Sequence, residues 1–252
     1  MRPSFIAVRR MGTRERRQRE VAEREQRFLA AARDLIRQDG LLNLQMSRIA
    51  EKCDYAVGTL YQHFLSKEDL LVALATDETQ ERVDMFQRVF DCKAASTRER
   101  LIGFAVADIV YARRNPEHFR LLQFAFTEVV WGAAPASRRQ ACIDANAPLR
   151  RLTLDLIDEA VRRGDLELRG LQPEEVCLAP WALALGMHSI MHTEGLLEQH
   201  EVCEPYHLML RHLSDLLNGL GWAPLTDSSN HAALDALAER IRKEVLHEYA
   251  CC

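Results

Sequence analysis

Between about Arg14 and Gln38 the apolar residues Val21, Phe28, Ala32, Leu35 and Ile36 recur at helical spacing, and Gly40 stands where a C-terminal cap belongs. This pattern predicts a long first helix. Two short apolar clusters at about 46–53 and 57–64 predict two short helices with a tight connection between them. Ser66, with Asp69 three residues on, has the spacing of a capping box, with Asp in place of the usual Glu or Gln. It opens a helical stretch to about Phe90. Further helices are predicted near 97–114, 116–131, 137–163, 173–199 and 204–219. Breaks fall at Asn115-Pro116, Gly132 to Pro135, Gly164, Gly170 to Pro173 and Pro205. Pro148 lies inside one stretch, where a missing N–H favours a kink. A last amphipathic segment at about 231–249 follows the turn-like Gly221–Asn230.

Composition agrees with an all-α fold. Only 11 Gly and 8 Pro punctuate 252 residues, β-branched runs are almost absent, and Ala, Leu, Glu and Arg dominate. The net charge of −4 excludes a chain that coats nucleic acid along its whole length. Its distribution is uneven: residues 1–70 sum to +4 and the remainder to −8. A basic head on an acidic body fits a small nucleic-acid-binding module joined to a larger domain with another task. Residues 1–19, with seven Arg against one Glu, read as a flexible basic arm. That arm either follows phosphates and the minor groove or is passive. Met11 offers an alternative start within it.

Several classes drop out. No apolar run reaches the roughly 18 residues of a membrane span. Phe5–Val8 is too short for a signal peptide and runs into Arg9 and Arg10, so a cytoplasmic protein is expected. Seven Cys, at 53, 92, 142, 177, 203, 251 and 252, form no CxxC pair and read as reduced thiols. A Ser/His/Asp set, a phosphate-cradling glycine loop and an HExxH pair are all missing, so neither an enzyme nor a cofactor is expected.

The informative stretch is Met46 to Leu71, MSRIAEKCDYAVGTLYQHFLSKEDLL. Two short helices there can pack through Ile49, Ala50, Leu60 and Phe64, with Ala50 small enough for close approach. The linker Cys53–Ala56 has the length of a helix-turn-helix turn. Asp54 is one of the few non-Gly residue types that tolerate a left-handed conformation. The second helix presents Val57, Gly58, Thr59, Tyr61, Gln62 and His63, the small and hydrogen-bonding side chains a major-groove helix needs.

This block resembles the TetR family of bacterial repressors. The matching residues are Ile49-Ala50, Gly58-Thr59-Leu60-Tyr61, His63-Phe64, Ser66-Lys67-Glu68 and Leu70-Leu71, within roughly residues 24–72. The resemblance implies three DNA-binding helices followed by a helical domain that binds a small effector and dimerises. It assigns phosphate contacts to Tyr61, His63 and Lys67, and base-facing positions to Ser47, Val57, Gly58, Thr59 and Gln62. Gln45, Arg48 and Ala56 complete the expected DNA-binding set. The chain departs from the family in having Asp54 where Gly is usual, Ala56 where Ser usually caps the recognition helix, and Val57 where a polar or basic residue is common. Ala as an N-cap costs about 1 kcal/mol relative to Ser.

The expected organisation is thus an arm over 1–19, a helix-turn-helix domain over 20–72, an effector-binding and dimerisation domain over 73–222, and an extension over 223–252 with one helix. Aromatic and Met residues concentrate at 97–131 and 137–199. Phe104, Tyr111, Phe124, Trp181 and Met187, with His188 and His192, are the expected pocket walls. Tyr111, His118, Glu128, His188 and His192 are its candidate polar handles. His188 and His192, four apart, also have a spacing that can hold a metal, but no third ligand is apparent and no metal site is expected. Leu196, Leu197, Leu213, Leu216 and Leu217 supply the apolar stripe expected at a homodimer interface. Cys251-Cys252 reads either as an inert tail or as a redox or soft-metal sensor. The function expected is a ligand-responsive repressor that binds a pseudo-palindromic, double-stranded DNA operator as a dimer and is released by a small, partly hydrophobic effector. The alternative is a DNA-binding regulator without a small ligand, controlled by a partner protein or a metal.

Overall fold

The computed structural model describes residues 13–77, 79–193, 195–227 and 229–249. The described residues form helices and turns, with no strand among them. No described helix is long and apolar enough to cross a membrane. The chain divides into two compact units between Leu70 and Leu71.

In the first unit α1 (Thr13–Asp39) is followed by a 3-10 turn (Leu41–Asn43), α2 (Met46–Lys52) and α3 (Val57–Tyr61). α4 (Lys67–Asp77) begins in this unit and ends in the next. Phe28, Ala32, Leu35 and Ile36 of α1 are buried, as are Ile49 and Ala50 of α2, Leu60 of α3, and Phe64. These are positions the apolar spacing singles out; Val21, on the same spacing, is exposed. α1 starts at Thr13, so residues 13–19 of the expected flexible arm are helical. The rest of that arm, Met11 included, lies outside the described residues, as does Cys251-Cys252.

The second unit continues with α5 (Thr79–Asp91), α6 (Thr97–Arg114), α7 (Pro116–Ala125), α8 (Glu128–Ala133), α9 (Ala136–Arg163), α10 (Pro173–Met191), α11 (Pro205–Gly219) and α12 (His231–Arg240). A π turn (Ile241–Val245) and a 3-10 turn (His247–Tyr249) follow. Several boundaries differ from the sequence expectation: the helix expected over 57–64 ends at Tyr61, and the stretch expected from Ser66 to Phe90 is assigned as α4 and α5. The stretch 116–131 is interrupted at Phe126-Thr127, where the Thr127 hydroxyl donates to the Phe124 carbonyl at 2.8 Å and competes with helix continuation. The stretch 173–199 ends at Met191, and Gly195 in the following connection takes φ +79°. The extension is helical for ten residues only, before the π turn.

α6 is the central helix. It is buried on all sides, almost every residue from Thr97 to Ala112 included, with α5, α7, α9, α11 and α12 packed around it. Its start is fixed by a capping box: Ser96 Oγ accepts from the Glu99 N–H at 3.2 Å, and the Glu99 carboxylate accepts from the Ser96 N–H at 2.8 Å. A Cβ at Gly103 would sit 2.6 Å from Val89 Cγ1, so the absence of a side chain permits the close α5–α6 approach. The buried Arg100 donates to the Phe90 carbonyl at 3.0 Å and to Glu159 Oε2 at 3.1 Å. These bonds, Arg100 foremost and Lys93 after it, hold the Glu159 carboxyl down to about 2.

Candidate functional site

The turn between α2 and α3 is built by the chain itself. The Asp54 N–H donates to the Glu51 carbonyl at 3.0 Å and the Tyr55 N–H to the Ala50 carbonyl at 2.9 Å. This is the Schellman pattern, and it places Asp54 in the left-handed region at φ +59°. Ala56 caps α3 with extended backbone but offers no side-chain bond, and α3 is helical over five residues only. At the start of α4 the Ser66 hydroxyl accepts from the Asp69 N–H at 3.2 Å, while the Asp69 carboxylate reaches back to the Leu65 N–H at 2.8 Å.

Of the expected DNA-contact residues, Gln45, Ser47, Arg48, Ala56, Val57, Gly58, Tyr61 and Gln62 are exposed, and Thr59 and Lys67 are half-buried. Val57 and Tyr61 show 43% and 47% of their surface, large values for apolar and aromatic side chains in a small unit. Lys67 Nζ donates to the Leu42 carbonyl at 3.2 Å and Arg48 pairs with Asp39 at 2.7 Å, so both cations are held on the rim of the helix-turn-helix. His63 is placed otherwise than the resemblance implies. Its side chain is only 5% exposed, its ring meets Phe28 edge-on at 5.4 Å, and Nδ1 lies 4.0 Å from Glu25. Burial pushes it below its ordinary value, partly offset by Glu25. The imidazole therefore braces α3 against α1 and has little surface to offer a phosphate. A cluster that single-residue reading misses lies beside it: the guanidinium groups of Arg24 and Arg27 stand 5.4 and 5.6 Å from the Tyr55 ring centre. Arg24 and Arg27 are one helical turn apart on α1, a spacing visible in sequence, but their meeting with the turn residue Tyr55 is tertiary.

The second unit carries a cavity of about 590 Å³, open to solvent beside Ile143, Leu178 and Trp181 and bounded by α5, α6, α9, α10 and α11. Of the expected walls, Phe104 and Trp181 line it; Tyr111, Phe124, Met187, His188 and His192 do not. Tyr111 is 1% exposed inside the general core, and Met187 packs on that core. His188 is fully buried between the rings of Phe119 at 4.1 Å and Tyr206 at 5.5 Å. His192 caps the end of α10. The side chain of His118 lies outside the described residues, and Glu128 is exposed. The physical reason is helix phase. Cys177, Leu178, Trp181 and Ala184 of α10 reach the cavity, whereas one turn further on α10 lies against α7 and α11.

The cavity's apolar walls include Phe86, Leu101, Phe104, Leu149 and Met209. Its polar features are an ion pair, in which Arg82 Nε donates to Asp108 Oδ1 at 2.6 Å, together with Asp144, Asn146, Arg150, Thr153 and Glu174. Two thiols, Cys142 and Cys177, also face it, and burial pushes both above the ordinary thiol value. Among the described residues no group of three or more His, Cys, Asp or Glu comes together that could hold a metal.

The leucines expected at a dimer interface are distributed differently. Leu213 and Leu217 are 3% and 0% exposed within the chain's own core, and Leu213 lines the cavity. Leu216 is half-buried against that core. Leu196 and Leu197 lie in the connection after α10. The apolar surface that α10 leaves exposed belongs to Leu178 at 54%, Trp181 at 53% and Ile190 at 37%.

Comparison with known proteins accords with this geometry. The family model for bacterial regulatory proteins of the tetR family matches residues 28–74, which span the end of α1 to α4. The transcriptional repressor KstR of Rhodococcus jostii is 45% identical over 62 residues, 25% of this chain and 29% of that one. The transcriptional regulator UidR of Escherichia coli is 34% identical over 61 residues, 24% of this chain and 31% of that one. These matches thus span under a third of the relatives' own length. Solved structures extend the likeness of fold to both units. The regulator FadR of Bacillus subtilis, solved with stearoyl-CoA, has a TM-score of 0.58 at 17% identity, covering 77% of this chain and 98% of that one. A tetR-family regulatory protein of Rhodococcus RHA1 has a TM-score of 0.57 at 19% identity, covering 79% and 97%. The helix-turn-helix over residues 28–74 thus carries the signature of the tetR family of bacterial regulatory proteins, and the described residues share the helical fold of solved proteins of that kind.

Proposed function

We propose that this regulator is a ligand-responsive repressor, which binds a pseudo-palindromic operator as a homodimer and lets go when a small, partly hydrophobic molecule fills the cavity of its second unit. The observation that carries the reading is that cavity: about 590 Å³, with a wall that is mainly apolar, Phe86, Leu101, Phe104 and Trp181 among it, and a minority of charged groups. A volume of this size suits a compact organic effector, and burial of its apolar surface supplies most of the affinity. Arg82, Asp108 and Arg150 offer the charges that orient it. On the DNA side, Val57, Gly58, Thr59 and Gln62 face bases while Tyr61 and Lys67 grip phosphates, with His63 positioning α3 from behind. The exposed apolar residues of α10 supply a face for the second protomer. The effector acts through its differential affinity for the DNA-fitting and non-fitting states of the dimer. This reading places the protein with its DNA in the cytoplasm.

The test begins with selection of bound sequences from random duplex DNA by the full-length protein. Acyl and aromatic compounds are then screened by Trp fluorescence and by release of the selected duplex. A two-fold-symmetric site, released by an apolar compound and not by metal or chelator, is the expected result. Ala184→Trp, which fills the cavity, should keep DNA binding and abolish the release. Release undiminished in that variant, or release that follows added Zn²⁺, overturns the reading.

A further inference from the structure

A second cavity, of about 330 Å³, lies where α12 and the connection before it fold over α6 and α11. It is separate from the larger one. On α6, Leu101, Phe104 and Asp108 face the larger cavity while Arg98, Glu99 and Ile102 face this one. On α11, Met209 and Leu213 face the first, Arg211 and Ser214 the second.

Its chemistry centres on Arg98, a side chain 1% exposed. The guanidinium donates to the Trp222 carbonyl at 2.8 Å, to the Ser214 carbonyl and hydroxyl at 2.8 and 3.1 Å, and to Thr226 Oγ1 at 2.9 Å. All of these acceptors are neutral. Asp215 acts on it only from beyond ion-pair distance, no carboxylate among the described residues pairs with it directly, and Nε is buried without a partner. The other two deeply placed arginines of this unit are neutralised, Arg82 by Asp108 and Arg100 by Glu159. A buried cation without a counter-charge is costly, and a bound anion removes that cost.

The surroundings add to the positive field. Arg211 makes no hydrogen bond or ion pair among the described residues, and Nδ1 of His231 is buried without a partner. Of the two carboxylates of the lining, Glu99 is neutralised by an arginine, while Asp227 bonds neutral donors and keeps its charge, so the two free cations Arg98 and Arg211 face one free anion. Glu99 accepts from Arg240 at 2.7 Å and from its own cap, and Asp227 accepts from the Ser229 N–H and hydroxyl at 2.9 and 2.7 Å. The rest of the lining is apolar, chiefly Ile102, Leu234 and Leu237.

We propose that this cavity is a binding site for a small organic anion, a carboxylate on a short apolar body, with its charge toward Arg98 and Arg211 and its body against Ile102, Leu234 and Leu237. A carboxylate matches the fork of the Arg211 guanidinium, while Arg98, its terminal nitrogens already bonded, has the Nε–H left to donate. The volume lies at the lower end of ligand sites, and the apolar lining favours such a molecule over inorganic phosphate. The site is built by the C-terminal segment, so its occupancy ties that segment to α6 and α11, the helices that also wall the larger cavity.

The experiment is calorimetric titration of the full-length protein with hexanoate and benzoate, beside hexanamide, benzamide and inorganic phosphate. The expected result is saturable binding of at least one carboxylate, with its amide and phosphate at least about tenfold weaker. Arg211→Gln should weaken the carboxylate by about tenfold, the loss of one charge-assisted hydrogen bond. Leu234→Trp, which fills the cavity without altering charge, should abolish binding. Should that variant fold poorly, Arg211→Gln decides, because Arg211 makes no hydrogen bond or ion pair among the described residues that the substitution would break. Failure of both carboxylates to bind, equal binding of acid and amide, preference for phosphate, or affinity unchanged by Arg211→Gln overturns the proposal. So does carboxylate binding lost on Ala184→Trp and kept in Leu234→Trp. That last outcome would place the anion in the larger cavity and leave the effector reading intact.

Discussion

His188 makes the acid stability of this protein a quantitative test of its packing. The side chain is fully buried, its ring tilted against Phe119 at 4.1 Å, and neither ring nitrogen has a hydrogen-bond partner among the described residues. Burial pushes its pKa from 6.5 to about 4, against the pull of Asp108 and with lesser help from His192 and Arg82. The fold therefore holds the neutral imidazole, while the unfolded chain takes up a proton near the ordinary value. Because the folded pKa is the lower one, stability is complete above the unfolded value and is lost as pH falls toward the folded value. With the two values given, the linked loss between about pH 7 and about pH 5 is ~2 kcal/mol. His188→Phe keeps an aromatic ring between Phe119 and Tyr206 and removes the titration. Urea denaturation of both proteins at the two pH values, at one protein concentration, isolates the term, since the carboxylates contribute alike to each. Wild type should lose ~2 kcal/mol more than the variant. At pH 7 the variant should be no less stable, because two unpartnered polar atoms have been replaced by carbon. Equal losses on acidification would refute the reasoning.

Three further outcomes are expected. Lys67→Ala should weaken binding of the selected operator and reduce the salt slope by about one, without change in thermal stability; fluorescence anisotropy across a salt series checks it, and an unchanged slope removes Lys67 from the phosphate contacts. Leu213→Glu places a charge in the chain's own core at a 3% exposed position, so it should cost folding outright, whereas Trp181→Glu, at 53% exposure, should stay folded and shift the dimer toward monomer. Circular dichroism and sedimentation separate these effects, and a folded, monomeric Leu213→Glu protein contradicts the assignment. Ala56→Ser supplies the missing N-cap of α3 and should raise stability by about 1 kcal/mol in denaturant titration; no gain would mean that α3 is held by packing alone.

The helix-turn-helix was legible in the sequence because its determinants are local. The spacing of Ile49, Ala50, Leu60 and Phe64 marks the buried face, and all four are buried. The tolerance of Asp for left-handed backbone anticipates φ +59° at Asp54. The limits of α6 also follow from local signals, the capping pair at Ser96 and Glu99 and the break at Asn115-Pro116. The site in the second unit was legible only in part. An apolar stripe reads the same whether a neighbouring helix, a cavity or a second copy covers it, so Leu213 and Leu217 looked like interface and proved to be core. A histidine on a helix likewise does not reveal its neighbours: His188 and Trp181 share α10, but only Trp181 reaches the cavity. The charges that shape both cavities pair across long stretches of chain, Arg82 with Asp108 and Arg98 with the Trp222 carbonyl 124 residues away. Local pattern determines which face of a helix is buried; what that face is buried against is set by how the helices are stacked, which no short-range signal encodes.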